Sequence, residues 1–231
     1  MTEIVTGTAL TRTFGEGEAA VHALRGIDVA FPQGQLTAIM GPSGSGKSTL
    51  MHLLAGLDRP TSGDVTVDGV SLGALGDNEL TELRRDRIGF IFQAFNLLPV
   101  LSAEENILLP LSIAGRDPDR EWVDHLIDLV DLRDRLSHRP SELSGGQQQR
   151  VAVVRALASR PAVVFADEPT GNLDSANSEE ILALLRRSVD EFGQTIIMVT
   201  HEEESAAHAD RLIVLRDGLI VEDKSAQAAP A

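Results

Sequence analysis

The chain has 231 residues, with 35 Asp plus Glu against 20 Lys plus Arg and a formal charge of -15 at pH 7. That charge repels nucleic acid phosphates and anionic lipid at long range, so a broad nucleic-acid-binding face is excluded and any phosphate binding must be local. The 42% apolar content suits one α/β domain, and the absence of cysteine removes disulfides, thiolate catalysis and cysteine metal sites.

Residues 4–10 alternate as a strand, 24–31 follow as a second, and Phe31-Pro32-Gln33-Gly34 turns the chain into a short buried strand at 35–40. Glu3 and the lack of basic residues ahead of an apolar run do not fit a secretory signal. No apolar stretch approaches the roughly 20 residues that span a bilayer. The expectation is a soluble, cytoplasmic protein.

Gly41-Pro42-Ser43-Gly44-Ser45-Gly46-Lys47-Ser48-Thr49 fits the phosphate loop GxxxxGK[ST], and residues 48–57 carry apolar side chains at helical spacing. Between a strand and a helix N-terminus, successive backbone N–H groups and the helix dipole converge on phosphate, and glycine admits the close approach. Lys47 is expected to reach the β- and γ-phosphates and the Ser48 hydroxyl to bind Mg²⁺.

A further strand covers 64–70 with Asp68-Gly69 as turn chemistry, completing a β-rich N-terminal layer. Arg84, Arg85 and Arg87 are interleaved with acids and read as a solvated helix end, and 87–93 reads as a strand ending on a polar residue. From 94 to 160 the pattern is helical. Ser102 and Glu105 form a capping box ahead of a segment running to 113, and 118–130 places Trp122, Leu126, Leu129 and Val130 on one face. This reads as an inserted helical lobe.

Leu143-Ser144-Gly145-Gly146-Gln147 precedes a helix at 148–159 whose Val151, Val154 and Leu157 keep helical spacing. Ser144 and the glycine N–H groups make a second anion-binding helix terminus. Because the chain already has one complete phosphate loop, this spare terminus suits the γ-phosphate held by another copy. Residues 162–166 form an apolar strand delivering Asp167 and Glu168 at its carboxyl end, the former to hold Mg²⁺ through water and the latter to act as general base toward the attacking water.

A helix at 178–192, a strand at 195–200 and short strands at 211–215 and 219–222 complete the pattern. Alternating strands and helices imply a mostly parallel core sheet covered on both faces. One domain over 1–223 is expected, with a disordered tail at 224–231. His201-Glu202-Glu203-Glu204-Ser205 starts like the zinc protease motif H-E-x-x-H, but Ser205 stands where the second imidazole must be, which argues against zinc.

The combination and order of these motifs resemble the ATP-binding cassette (ABC) ATPases, with LSGGQ as the signature, over nearly the whole chain. The resemblance implies the P-loop NTPase fold of that family: a mostly parallel core sheet, an N-terminal antiparallel β layer and an inserted helical subdomain. It further implies ATP with Mg²⁺ as the nucleotide and metal, Gln93 as the Q-loop glutamine sensing Mg²⁺ and water, His201 as the switch histidine on the γ-phosphate, and Asn172-Leu173-Asp174 as the D-loop linking two sites. Phe14 stands where the family stacks an aromatic on adenine; the chain has no Tyr. The partners implied are a second ATPase subunit, head to tail, and an integral membrane permease received by the helical lobe. Residues 90–99 and 169–174 resemble the branch containing lipoprotein-release and macrolide-exporter ATPases. The alternative is an ATP-driven regulator of a membrane partner, as in the cell-division ABC systems.

Overall fold

The computed structural model describes residues 2–225. The chain opens with β1 (Glu3–Phe14), β2 (Val21–Pro32) and β3 (Leu36–Met40), then α1 (Lys47–Leu54), β4 (Ser62–Val67), β5 (Val70–Ser71) and α2 (Asp77–Arg87). β6 (Ile88–Phe92) leads into α3 (Ala103–Ile113), α4 (Arg120–Leu129) and α5 (Gly145–Leu157). β7 (Val163–Asp167), α6 (Ser175–Phe192), β8 (Thr195–Val199), α7 (Glu203–Ala206), β9 (Arg211–Arg216) and β10 (Leu219–Ser225) follow.

An antiparallel sheet has the order β2-β1-β4-β5, and a second sheet the order β10-β9-β3-β8-β7-β6. Within the second, every neighbouring pair from β9 to β6 is parallel and only the β9–β10 hairpin is antiparallel. The inner strands β7 and β8 are apolar on both faces because both are covered. Val164 and Ala166 of β7 and Ile196 and Met198 of β8 pack toward α3, α4, α5 and α6. Their neighbours Val163, Phe165, Ile197 and Val199 pack on α1 and the antiparallel sheet. A parallel sheet sandwiched in this way presents its carboxyl strand ends as one edge. There β3 runs into the phosphate loop, β6 into Gln93, β7 into Asp167-Glu168 and β8 into Thr200-His201.

Several elements differ from the expectations. Residues 77–87 form a full helix rather than only an end, and Arg87 closes it instead of opening the next strand. Its arginines are partnered: Arg84 donates to the Gly56 carbonyl, Arg85 to Asp86 and Arg87 to Asp68. In α4 the fully buried residues are Val123, Leu126 and Ile127, joined by Val130, while Trp122 and Leu129 lie at the flank. Trp122 sits there because its indole N–H must find an acceptor, the Leu157 carbonyl at 3.0 Å. The tail expected from 224 starts too early, since Lys224 and Ser225 pair with Leu212 and Arg211 as the last residues of β10; 226–231 lie outside the described residues.

Candidate nucleotide site

The phosphate loop is shaped by backbone that only glycine adopts without strain. Gly41, Gly44 and Gly46 have φ of 148°, 79° and 104°. A Cβ on Gly46 would stand 2.6 Å from the Ala23 carbonyl oxygen, and one on Gly41 would run into that of Leu215. Gly46 is the residue before α1, so the N–H groups of the first turn stay open toward the loop. Lys47, nearly buried, donates through Nζ to the carbonyls of Gly41 at 2.8 Å and Pro42 at 3.0 Å, which holds the ammonium across the loop mouth. The loop is braced from the far end of the chain, where the Gly218 N–H donates to the Ser45 carbonyl at 3.0 Å. Ser45 Oγ is buried without a partner.

Lys47 lines two hollows. One includes Val21, His22, Ser48, Thr49 and the turn Asp217-Gly218; the other includes Gly41, Pro42, Ser43, Glu168 and His201. Asp167 and Glu168 enter from β7, with Asp167 paired in register to Phe92, the residue before Gln93. Burial, first, and the neighbouring Glu168 raise the Asp167 pKa, while His52 and Lys47 oppose the rise. Glu168 takes φ of 45°, uncommon for a residue with a Cβ, as its N–H donates to the Val199 carbonyl at 2.9 Å. Its Oε1 lies 3.0 Å from His201 Nδ1. A carboxylate only accepts, so Nδ1 carries the proton and donates. Gln93 lies against Gly171, where a Cβ would meet its Nε2 at 2.6 Å, and Asn172 Nδ2 donates to its carbonyl at 2.9 Å.

Phosphate loop, Asp167, Glu168, His201 and Gln93 therefore gather at one sheet edge. Ser144 to Gln147 do not join them: none of these four residues lines either hollow. They close a reciprocal cap on α5, in which Ser144 Oγ accepts from the Gln147 N–H at 3.2 Å and Gln147 Oε1 accepts from the Ser144 N–H at 3.0 Å. Gly146 packs on Asn177 so closely that a Cβ would strike its side chain. Asn177 is in turn held by Asp174, which caps α6 by accepting from the Asn177 N–H at 2.9 Å and from its Nδ2 at 2.8 Å. Those bonds, the backbone one first, lower the Asp174 pKa.

Phe14 ends β1, exposed and paired with Val21, and carries the Arg12 guanidinium over its ring at 4.6 Å. Ser205 faces inward, donating to Glu202 at 2.9 Å beside Thr170. Sequence reading missed the bracing turn at Asp217-Gly218 and two residues of α5, Gln149 and Arg155. The only signal for the turn is Asp-Gly itself, which marks a hairpin but not what the hairpin leans on.

Residues 24–171 match the family profile described as ABC transporter. The chain is 47% identical over 222 residues to the macrolide export ATP-binding/permease protein MacB of Bdellovibrio bacteriovorus, covering 96% of this chain but 34% of that protein. It thus spans about a third of the macrolide-export relatives' length. It is 44% identical to the ABC transporter ATP-binding protein MJ0796 of Methanocaldococcus jannaschii, covering 90% of this chain and 92% of that one. The dimeric post-hydrolysis structure of the cassette MJ0796 bound to ADP and Pi superposes with a TM-score of 0.87 at 40% identity, covering 97% of this chain and 100% of that one. The chain belongs to the ABC transporter family. It is that family's ATP-binding, ATPase domain, on the fold expected from its motifs.

Proposed function

We propose that the chain works as a head-to-tail pair, each ATP and its Mg²⁺ held between residues 41–49 of one copy and 144–147 of the other, and that the pair drives a membrane permease. The observation that carries this reading is that residues 144–147, capped on α5, line neither hollow beside Lys47 of their own chain. Ser144 Oγ accepts one N–H and keeps its own proton for an outside acceptor, at a helix N-terminus with no acid in its first turn. The MJ0796 structure, described as a dimer bound to ADP and Pi, supports pairing of two cassettes with nucleotide present.

The residues suit the ligands. A loop of glycine-only backbone at Gly41, Gly44 and Gly46, and an orphaned buried hydroxyl on Ser45, fit a phosphate chain. The Ser48 hydroxyl, Gln93 amide oxygen and Asp167 carboxylate are hard oxygen donors of the kind Mg²⁺ takes, and the ion would neutralise developing phosphate charge. Glu168, oriented by His201, takes the proton of the attacking water. Gln93 positions that water, His201 contacts the γ-phosphate, Phe14 stacks on adenine, and Asp174 lies between the two sites.

No helix among the described residues is long and apolar enough to cross a membrane. Force would be delivered through the lobe, at about 94–160, within a single cassette that runs on to the end of β10. An apolar groove lined by Leu57, Ile88, Phe92, Leu109, Ile113 and Arg155 opens beside the Gln93 loop and suits a helix of a permease. The cassette would then sit on the inner face of the membrane. Glu168→Gln tests the core of the reading: turnover falls about 10²–10⁴-fold while ATP binding persists, and sedimentation at saturating ATP and Mg²⁺ finds a dimer. A variant that stays monomeric there defeats the shared-site arrangement.

A further inference from the structure

Gln149 is wholly buried one turn into α5, the helix that begins with the signature glycines. Its Nε2 donates to the Pro169 carbonyl at 2.5 Å and approaches the Phe92 carbonyl at 3.5 Å. Pro169 directly follows Glu168, and Phe92 directly precedes Gln93. One amide therefore touches the backbone on both sides of the proposed catalytic pair. Both neighbours are acceptors, which settles that the nitrogen end of the amide faces them.

Further along α5, Arg155 completes the hold. Its guanidinium donates to the carbonyls of Phe95 at 2.8 Å and Asn96 at 2.6 Å. Those two residues have φ of 59° and 50°; Asn tolerates this left-handed region but Phe rarely adopts it, so the carbonyl partners help hold the bend after Gln93. Burial lowers the Arg155 pKa. The planar fork suits two adjacent carbonyls in a way an ammonium cannot.

A filler of the core would have no reason to be glutamine. Gln149 Oε1 is buried and has no partner, a cost that Met or Leu of similar size would avoid. Retaining the amide makes sense where its contacts with the catalytic loops matter more than its packing.

We propose that Gln149 and Arg155 are positioning residues through which the signature helix holds the loops of Glu168 and Gln93 in register, tying the part of the chain that serves the neighbour's ATP to the part that hydrolyses its own. The proposal rests on the roles given above to Glu168 and Gln93. Neither side chain lies among the groups lining the two hollows beside Lys47, so ATP capture should be indifferent to them.

Gln149→Met, which keeps the volume and removes the amide, and Arg155→Lys, which keeps the charge and loses the fork, are assayed as the full chain for Mg-ATP hydrolysis, fluorescent-ATP binding and thermal unfolding. Each should lower kcat about tenfold or more, leave KM and nucleotide affinity within about twofold, and unfold cooperatively near the wild-type temperature. In the Glu168→Gln background, Gln149→Met should still dimerise with ATP. Wild-type kcat in both variants, or losses of kcat that follow equal losses of affinity or of folded protein, would overturn the proposal. Should Gln149→Met fail to fold, Arg155→Lys decides it, being only partly buried. Rapid turnover by Glu168→Gln alone would instead remove the catalytic reading beneath it, a result separate from either variant's.

Discussion

Gly146 and Asn177 meet where the start of α5 lies against the start of α6, and the contact has no room for a methyl group. Asn177 cannot simply swing away, because Asp174 holds both its N–H and its amide nitrogen. Gly146→Ala should therefore cost about 1–3 kcal/mol of stability, the usual range for overpacking. Adding Asn177→Ala should recover part of it. Denaturant melts of the single and double variants check the pair, and equal stabilities of the two would remove the steric explanation. Glu168 shows a different kind of constraint at the same scale. Its left-handed backbone is maintained by the hydrogen bond to Val199, and its carboxylate is aimed by His201, so the putting in place of one acid depends on two strands.

Among the elements, the β9–β10 hairpin depends on an ion pair that acid should break. Arg211 donates to Asp223 through Nε at 2.7 Å and Nη2 at 2.6 Å, and also to the Ala30 carbonyl of β2. The Arg211 side-chain bond, first among the causes, holds the Asp223 pKa below its ordinary carboxylate value. A lowered folded-state pKa means that the unfolded chain binds the proton more readily. The stabilisation is then complete above the unfolded value and is lost as pH falls below about 4. Asp223→Asn should lower stability at pH 7 and flatten its acid limb, read as thermal midpoints from pH 7 down to pH 3; a variant with the wild-type acid slope refutes the assignment. Long apolar strands such as β7 and β8 were legible in sequence because a strand buried on both faces leaves a continuous apolar run. Only the end of α2 was read as helical, since only Leu80 and Leu83 of its eleven residues are buried. The α4 face placed Trp122, Leu126, Leu129 and Val130 on one side, and all four pack in or against one core cluster, with Trp122 at its edge where the indole N–H reaches the Leu157 carbonyl. Gln147, Gln148 and Gln149 are identical letters in one run. One caps the helix, one bonds the Leu143 carbonyl and one is interior, and only tertiary packing separates them.

For the whole molecule, the dominant long-range fact is a charge of -15 on each copy. Two such bodies brought together repel over the Debye length, which is about 30 Å at 0.01 M salt and about 8 Å at 0.15 M. ATP-driven pairing of Glu168→Gln should strengthen as salt rises through that interval, opposite to an association held by exposed ion pairs. Sedimentation across a salt series checks the sign, and pairing that weakens monotonically with salt would place attractive charge at the interface instead. The site edge was largely readable in advance, because phosphate loops and strand-end carboxylates announce themselves by spacing. What braces that edge was not, because it comes from chain segments far apart in sequence.

The nucleotide loop near residue 45 leans on a turn near residue 218. During synthesis the loop leaves the ribosome early, yet its rear wall is among the last parts of the described chain to be made. A nascent polypeptide halted before β9 would carry every letter of the phosphate motif and still lack the surface against which that motif is set. The brace that Gly218 gives the loop through the Ser45 carbonyl becomes available only after the intervening strands and helices have been made.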